Sequence, residues 1–513
     1  MADVPQQPEK PLSGRIRGGP SRQLHDEVLA PQFRFEVRHL LPWYVAAEKV
    51  LALEYGRMGL MSGDQVLEVF RALDAARESF PEADPDENMS DLAFALERKV
   101  TESLAEPIPV WHVDRSRNDL QSCAQAMFLR TEVLETAAVV LDLAGASIGL
   151  ADEHRHVPMP GYTHYQAAQI ITPGYYFAAV SEQVLHSLRR MLGTYDGMDT
   201  CPLGSGAMAG QELAWDRERM ARLLGFRAAQ PHALTGVASR RSAQEVTAEL
   251  SLFGAAVSRF TTDLLTWSSG AYGFVELPDE LSGISSAMPQ KKNYPILERV
   301  RGKSAHLSSI HIDTLLGQRN TPYTNLVEVS KEAGSHLLDA LTSARTMVRL
   351  LCTVLEHLVL RPERMLAACE REYLGGFALA NRLTLDEGVP WRSAQVLAGR
   401  YIVAALDSGR EPPDIDAGLL RTAAAELGHR LAEPERALRR ACDVPGGVRE
   451  HRTAGSVHPD AVAELVAAQR AEHRRLAAEW NARSAVATAV PAELDRIAAV
   501  WAADADGTGR GAR

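Results

Sequence analysis

The densest chemistry in the sequence lies between Ser282 and Glu298, SGISSAMPQKKNYPILE. This span carries serines at 282, 285 and 286, then Lys291, Lys292, Asn293 and a carboxylate at Glu298. Pro289 and Pro295 would each remove a hydrogen bond from a helix interior. The segment therefore reads as a loop running into a helix that begins near Pro295. A serine-rich loop bearing Lys291 and Asn293 suits closure over a carboxylate and stabilisation of charge that builds up on it. Three other segments concentrate polar residues in a similar way: WHVDRSRND (Trp111–Asp119), MPGYTHYQ (Met159–Gln166) and CPLGSGAMAG (Cys201–Gly210).

Such loops need rigid elements to place them. Val246, Leu250, Phe253, Val257, Phe260, Leu264 and Trp267 recur at alternating four- and three-residue spacing, the seam of one long helix. Further long helices are expected from Ser116 to about His154, from Pro173 to about Leu192, from Pro295 to Leu316 and from Val327 to about Leu360. Each polar segment lies near an end of one of them. Apolar faces this long pack together as a bundle. Shorter helices are expected at Val37–Arg57, at Gln65–Ser79 behind a Ser62 cap, and at Met89–Leu104. After the Gly375-Gly376 pair they are expected at Phe377–Asp386, Trp391–Leu406, Leu419–Leu431 and Asp460–Trp480. The expected architecture is all-α. A flexible tail (1–22) and an N-terminal helical domain (23–115) precede a central bundle with the polar loop (116–375) and a C-terminal helical domain (376–513).

Composition supports a helical, globular protein: of 513 residues, 46% are hydrophobic and 24% charged, and strand-forming runs are scarce. A formal net charge of −11 argues against nucleic acid as a partner. The five cysteines are widely spaced, odd in number and form no CxxC, which argues against a disulfide framework or a zinc site. The polar, proline-rich start lacks a signal-peptide core, and no membrane span is expected. A cytoplasmic enzyme without metal or other cofactor is the expectation.

In order along the chain, these blocks resemble the fumarase/aspartase superfamily, and within it argininosuccinate lyase. SSAMPQKKN resembles the signature GSSxMPxKxN, HVDRSRND resembles HTGRSRND, MPGYTHYQ resembles MPGYTHLQ, and PLGSGAMAG resembles PLGSGALAG. WSSGAYGFVELPD (Trp267–Asp279) and RTAGS (Arg452–Ser456) add to the likeness, which covers roughly residues 35 to 475. The resemblance implies a carbon–nitrogen lyase that eliminates an amine from an N-substituted aspartate and releases fumarate, as in arginine biosynthesis. It also implies a homotetramer whose active sites combine segments from different chains.

By resemblance, Ser285 is the base that takes the proton next to a carboxylate. A serine hydroxyl needs help for this, from Lys291 and from loop backbone donors. His164 matches a histidine that assists proton transfer, and Glu298 its carboxylate partner. Lys291 and Asn293 match carboxylate-stabilising positions. Ser116, Arg117 and Asn118 match the segment that grips the succinyl part, with Thr163 and Gln166 on the carboxylates. Tyr323, Glu328 and Lys331 match a third substrate-binding segment.

The departures cluster on the amine side. The position of a guanidinium-binding Asp aligns with Val37. AHAxML becomes VLALEY (Val50–Tyr55), and YNxDLQEDK becomes YTNLVEVSK (Tyr323–Lys331), with Glu328 in place of Gln. Thr-Gly becomes Val113-Asp114, the signature's leading Gly becomes Ile284, and SDRD becomes Ala238-Ser239-Arg240-Arg241. The expected amine partner is therefore open: arginine, or another amine, a diamine or a hydrazine.

Overall fold

The computed structural model describes residues 19–79, 83–84 and 91–505. Most of the tail expected over 1–22, most of the loop after Phe80 and the chain beyond 505 lie outside the described residues. Among the described residues the N-terminal part holds a single helical turn at Arg22–Leu24 and four longer helices: α1 (Ala30–His39), α2 (Leu41–Arg57), α3 (Gly63–Glu78) and α4 (Leu92–Ser103). A π-helical turn, His25–Leu29, leads into α1. The single helix expected from Val37 is interrupted at Leu40, where φ falls to −111°. Pro42, in the first turn of α2, has no N–H to continue the ladder of α1, so the chain restarts there. Ser62 caps α3 as expected, and its exchange with Gln65 (3.3 and 2.9 Å) is a capping box. Tyr44, Leu53, Val69, Leu73 and Leu96 form the centre of this part's core.

The central bundle consists of α5 (Arg117–Glu153), α6 (Pro173–Met198), α7 (Arg241–Ser268), α8 (Pro295–Gln318) and α9 (Leu337–Glu356). The helices alternate in direction. Gly174 N–H bonds to His154 at the far end of α5. Arg241 donates to Gly197 at the finish of α6, and Gln318 donates to Arg240 before α7. Val275 and Glu276, after α7, pair with Leu360 and Val359, after α9. All starts and finishes thus gather at two ends. The first end holds the starts of α5, α7 and α9. The second holds their finishes and the starts of α6 and α8. At about 1.5 Å per residue, α5 alone separates the two by roughly 55 Å. The fifth helix starts later than expected, because Glu328–Glu332 forms a π-helical turn. Helix α5 is long and apolar enough to cross a bilayer, and most of its apolar window is buried inside the bundle.

Four helices after the bundle, α10 (Gly376–Leu385), α11 (Trp391–Asp407), α12 (Ala417–Glu426) and α13 (Pro434–Cys442), share a small core around Leu383, Leu397 and Leu438. The last helix, α14 (Pro459–Ala505), runs well beyond the Trp480 expected as its end. Its Val462, Val466, Leu476 and Trp480 join the bundle core, and Val490 and Leu494 join the N-terminal core. The last helix therefore packs apart from the small core of α10 to α13. Among the described residues, only short ribbons interrupt the all-α architecture. One is the hairpin of β1 (Met159–Thr163) and β2 (Gln166–Ile171). Another is formed by β3 (Gly283–Ile284) and β4 (Lys292–Asn293).

Candidate functional site

At the first end, Ser116 caps α5: its Oγ accepts from Asn118 N–H at 3.1 Å. Arg117, the first helical residue, pairs with Asp91 at 3.2 Å and lies over the Phe94 ring at 5.1 Å. Asn118 donates its side-chain amide to Ala207 at 3.1 Å. One turn of backbone thus presents three polar groups beside the 201–210 loop. That loop is held by Asp119, whose buried Oδ2 accepts from Gly204 and Gly206, both at 2.9 Å. Burial pushes the Asp119 carboxyl up to about 7, against those two donors.

The replaced glycine of this segment has a structural explanation. Asp114 occupies a left-handed conformation (φ 60°), where glycine would be unstrained. Its carboxylate accepts from Glu212 N–H (3.1 Å), Leu213 N–H (2.8 Å) and Trp215 Nε1 (2.9 Å). Burial opposes its ionisation, but these bonds outweigh it and hold the carboxyl below its usual range. The substitution fastens the SRND segment to the 211–215 loop.

A cavity of about 520 Å³ opens at this end, between α1, α5, the start of α7 and the 329–338 segment. Lys331 lines it and pairs with Glu36. Glu36 is buried and also accepts from Gln32 at 3.1 Å. Burial raises its pKa, and the Lys331 ammonium works against that rise. This carboxylate stands one residue before Val37, the position aligned with the guanidinium-binding Asp. Val37 packs against the N-terminal core. Tyr323 and Glu328 are exposed and do not line this cavity.

At the second end, the β1–β2 hairpin turns through His164 and Tyr165, at φ 53° and 62°. Two consecutive left-handed residues match the twist of a two-residue hairpin. They leave Thr163, His164 and Gln166 exposed on its tip. Tyr162 packs edge-on against Tyr272, 5.6 Å away, so this hairpin stands beside the segment that leads into β3. The stretch read as a loop is itself a small hairpin, with Gly283 opposite Asn293 and Ile284 opposite Lys292. Ser285 follows β3 directly, and its Oγ accepts from Met288 N–H at 3.0 Å. Lys291 is exposed, whereas Lys292 binds Asp279 (2.9 Å) and Glu276 (3.3 Å). Glu298 is exposed in the first turn of α8.

The structure therefore gathers the expected residues into two groups. Ser116, Arg117, Asn118 and Lys331 lie at the first end, and His164, Ser285, Lys291, Asn293 and Glu298 at the second. Among the described residues, no hydrogen bond or ion pair joins His164 to Glu298, or either group to the other. Sequence reasoning singled out neither Glu36 nor Asp119. An acid next to Phe33 and Phe35 on an otherwise apolar stripe was the signal for Glu36.

Comparison with known proteins decides the family: the lyase family matches residues 30–308, just over half the chain. The chain belongs to the fumarase/aspartase superfamily. Argininosuccinate lyase of Thermus thermophilus is 33% identical over 370 residues, covering 70% of this chain and 78% of that one. Argininosuccinate lyase of Methanothermobacter thermautotrophicus is 30% identical over 407 residues, 79% and 86% of the two chains. The crystal structure of EDDS lyase in complex with formate shares the fold: the TM-score is 0.83 at 23% identity, covering 96% of this chain and 98% of that one. The protein is an argininosuccinate lyase-like, fumarate-forming carbon–nitrogen lyase.

Proposed function

We propose that this lyase β-eliminates the amine from an N-substituted aspartate of the argininosuccinate type, and that it works as a homotetramer with shared active sites. The observation that carries the reading is the separation of the two residue groups by the length of α5. One chain holds both halves of the machinery at opposite ends, so a neighbouring chain running the other way brings the second end of one to the first end of another. Exposed apolar residues on the bundle, Leu252 on α7 and Ile312, Leu315 and Leu316 on α8, give such neighbours a surface to bury.

In the assembled site, Ser285 takes the proton from the carbon next to the carboxylate. The Met288 N–H already bonded to its Oγ favours the deprotonated form. Lys291 and Asn293 hold the dianionic carboxylate that develops. The carbon–nitrogen bond then breaks, its electron pair stays with nitrogen, and a proton delivered on the His164 side completes the free amine. Glu298 keeps that imidazole basic. Ser116, Arg117, Asn118, Thr163 and Gln166 bind the succinyl carboxylates, while Tyr323, Glu328 and Lys331 border the amine branch. Glu36 supplies a carboxylate where the aligned Val37 lacked one. This narrows the departure from an argininosuccinate-type pocket and favours that substrate type over a diamine or hydrazine adduct.

The test uses two variants from opposite ends, Ser285→Ala and Asn118→Ala. Each alone should be nearly inactive. Chains mixed and reassembled should regain a substantial fraction of wild-type fumarate release, because some sites then draw both intact halves. A fully active monomer by light scattering, or mixed tetramers without recovery, would overturn the shared-site reading.

A further inference from the structure

Helix α11 carries apolar residues on two faces. Ala394, Leu397, Ala398, Tyr401 and Ala405 are buried in the small core that follows the bundle. On the other side Val396, Val403 and Leu406 are exposed, the last two at 57% each. A helix at the surface of a monomer ordinarily turns a polar face to water. Here an apolar stripe faces outward instead, and it runs along the helix at alternating three- and four-residue spacing through Val396, Gly399, Val403 and Leu406. A continuous exposed stripe of this kind marks a contact surface.

Gly399 sits at the middle of the stripe. A glycine inside a helix costs stability relative to alanine. Nothing within the chain accounts for it: a Cβ built at Gly399 meets no atom within 4 Å. Its lack of a side chain suits the close approach of another backbone from outside. Arg392 and Asp407 close the stripe at either end, about 22 Å apart along the helix axis. Both are exposed, and among the described residues neither is in an ion pair; Arg392 donates to Gln395 at 2.5 Å.

The stripe is its own complement. Turned about a two-fold axis between Gly399 and Arg400, it sets Val396 against Val403 of a second copy, and Arg392 against Asp407 of that copy. Symmetry makes each pairing occur twice, as an isologous contact requires. Gly399 stands at the crossing point, and Arg400 beside it is drawn aside by Glu426 at 3.5 Å. We propose that α11 is an interaction surface for a second copy of this chain, docked antiparallel across Gly399 with Arg392–Asp407 ion pairs at both ends. This contact is separate from the bundle faces of the tetramer proposed above, because the buried side of α11 belongs to the core of α10 to α13.

The test uses the full chain carrying Gly399→Cys, which places a thiol next to its own symmetry mate. Mild oxidation at micromolar concentration is followed on a denaturing gel. Wild type, whose own five cysteines are buried or half-buried, is the control. A covalent dimer should form in Gly399→Cys and not in wild type. Adding Arg392→Glu or Asp407→Arg should slow its formation roughly tenfold, since each reversal turns two symmetric attractions into repulsions. The two reversals combined, or a mixture of chains carrying one each, should restore it. Within one chain these two residues are too far apart to meet, so a rescue requires docking between copies. Fumarate formation should stay at the wild-type level throughout. Arg400→Cys, on the other side of the axis, gives the same reading if Gly399→Cys does not fold. No covalent dimer in either cysteine variant would overturn the proposal, as would a dimer that forms at the same rate whatever the charges at 392 and 407.

Discussion

Ser285→Ala separates chemistry from scaffold in the β3–β4 hairpin. Among the described residues the hydroxyl has one bond, from Met288 N–H at 3.0 Å, at a partly exposed position. The pairings of Gly283 with Asn293 and of Ile284 with Lys292 do not involve it. Losing one such bond costs the fold at most about 1 kcal/mol. Losing the base should slow turnover about a thousandfold or more, roughly 4 kcal/mol on the barrier. The two magnitudes differ enough to tell the causes apart. Initial rates of fumarate formation give the barrier, calorimetric titration gives substrate affinity, and a melting curve gives the fold. The expected result is lost turnover with affinity changed by no more than a few-fold and melting nearly unchanged. Turnover above about a tenth of wild type would refute Ser285 as the base. A rate loss matched by an equal loss of binding would make it a loop-shaping residue instead.

Lys291→Ala should raise KM and lower kcat together, because one charge serves the bound carboxylate and the developing dianion; steady-state kinetics with an unchanged KM would contradict this. Asp119→Ala strands the N–H groups of Gly204 and Gly206, and should destabilise the fold by about 2–5 kcal/mol in urea denaturation. Because burial raises the Asp119 carboxyl to about 7, its contribution is present below the ordinary carboxylate range and lost as pH rises through about 7. The stability of Asp119→Asn relative to wild type should accordingly improve between about pH 5 and about pH 8; a flat difference would contradict the raised value.

The sequence was most legible where a short segment carries its own reason. Proline and glycine marked the bounds of the long helices, and apolar spacing marked their buried faces, so α5, α7 and α8 fall within a few residues of expectation. The four polar blocks could be placed at helix ends for the same reason. What stayed hidden depends on partners distant in sequence. Glu36 meets Lys331 across 295 positions, and Asp119 meets Gly204 across 85. No local pattern announces either pairing. The continuation of α14 past Trp480 was equally hidden, because its later apolar residues find their partners in the N-terminal core, at the opposite end of the chain. Asp114 shows how a local departure can mislead. As a replaced glycine it reads like an altered substrate pocket, yet its carboxylate is spent on the 212–215 loop. One departure on the amine side is thus a brace for a loop, and a carboxylate, Glu36, stands one residue before another, Val37.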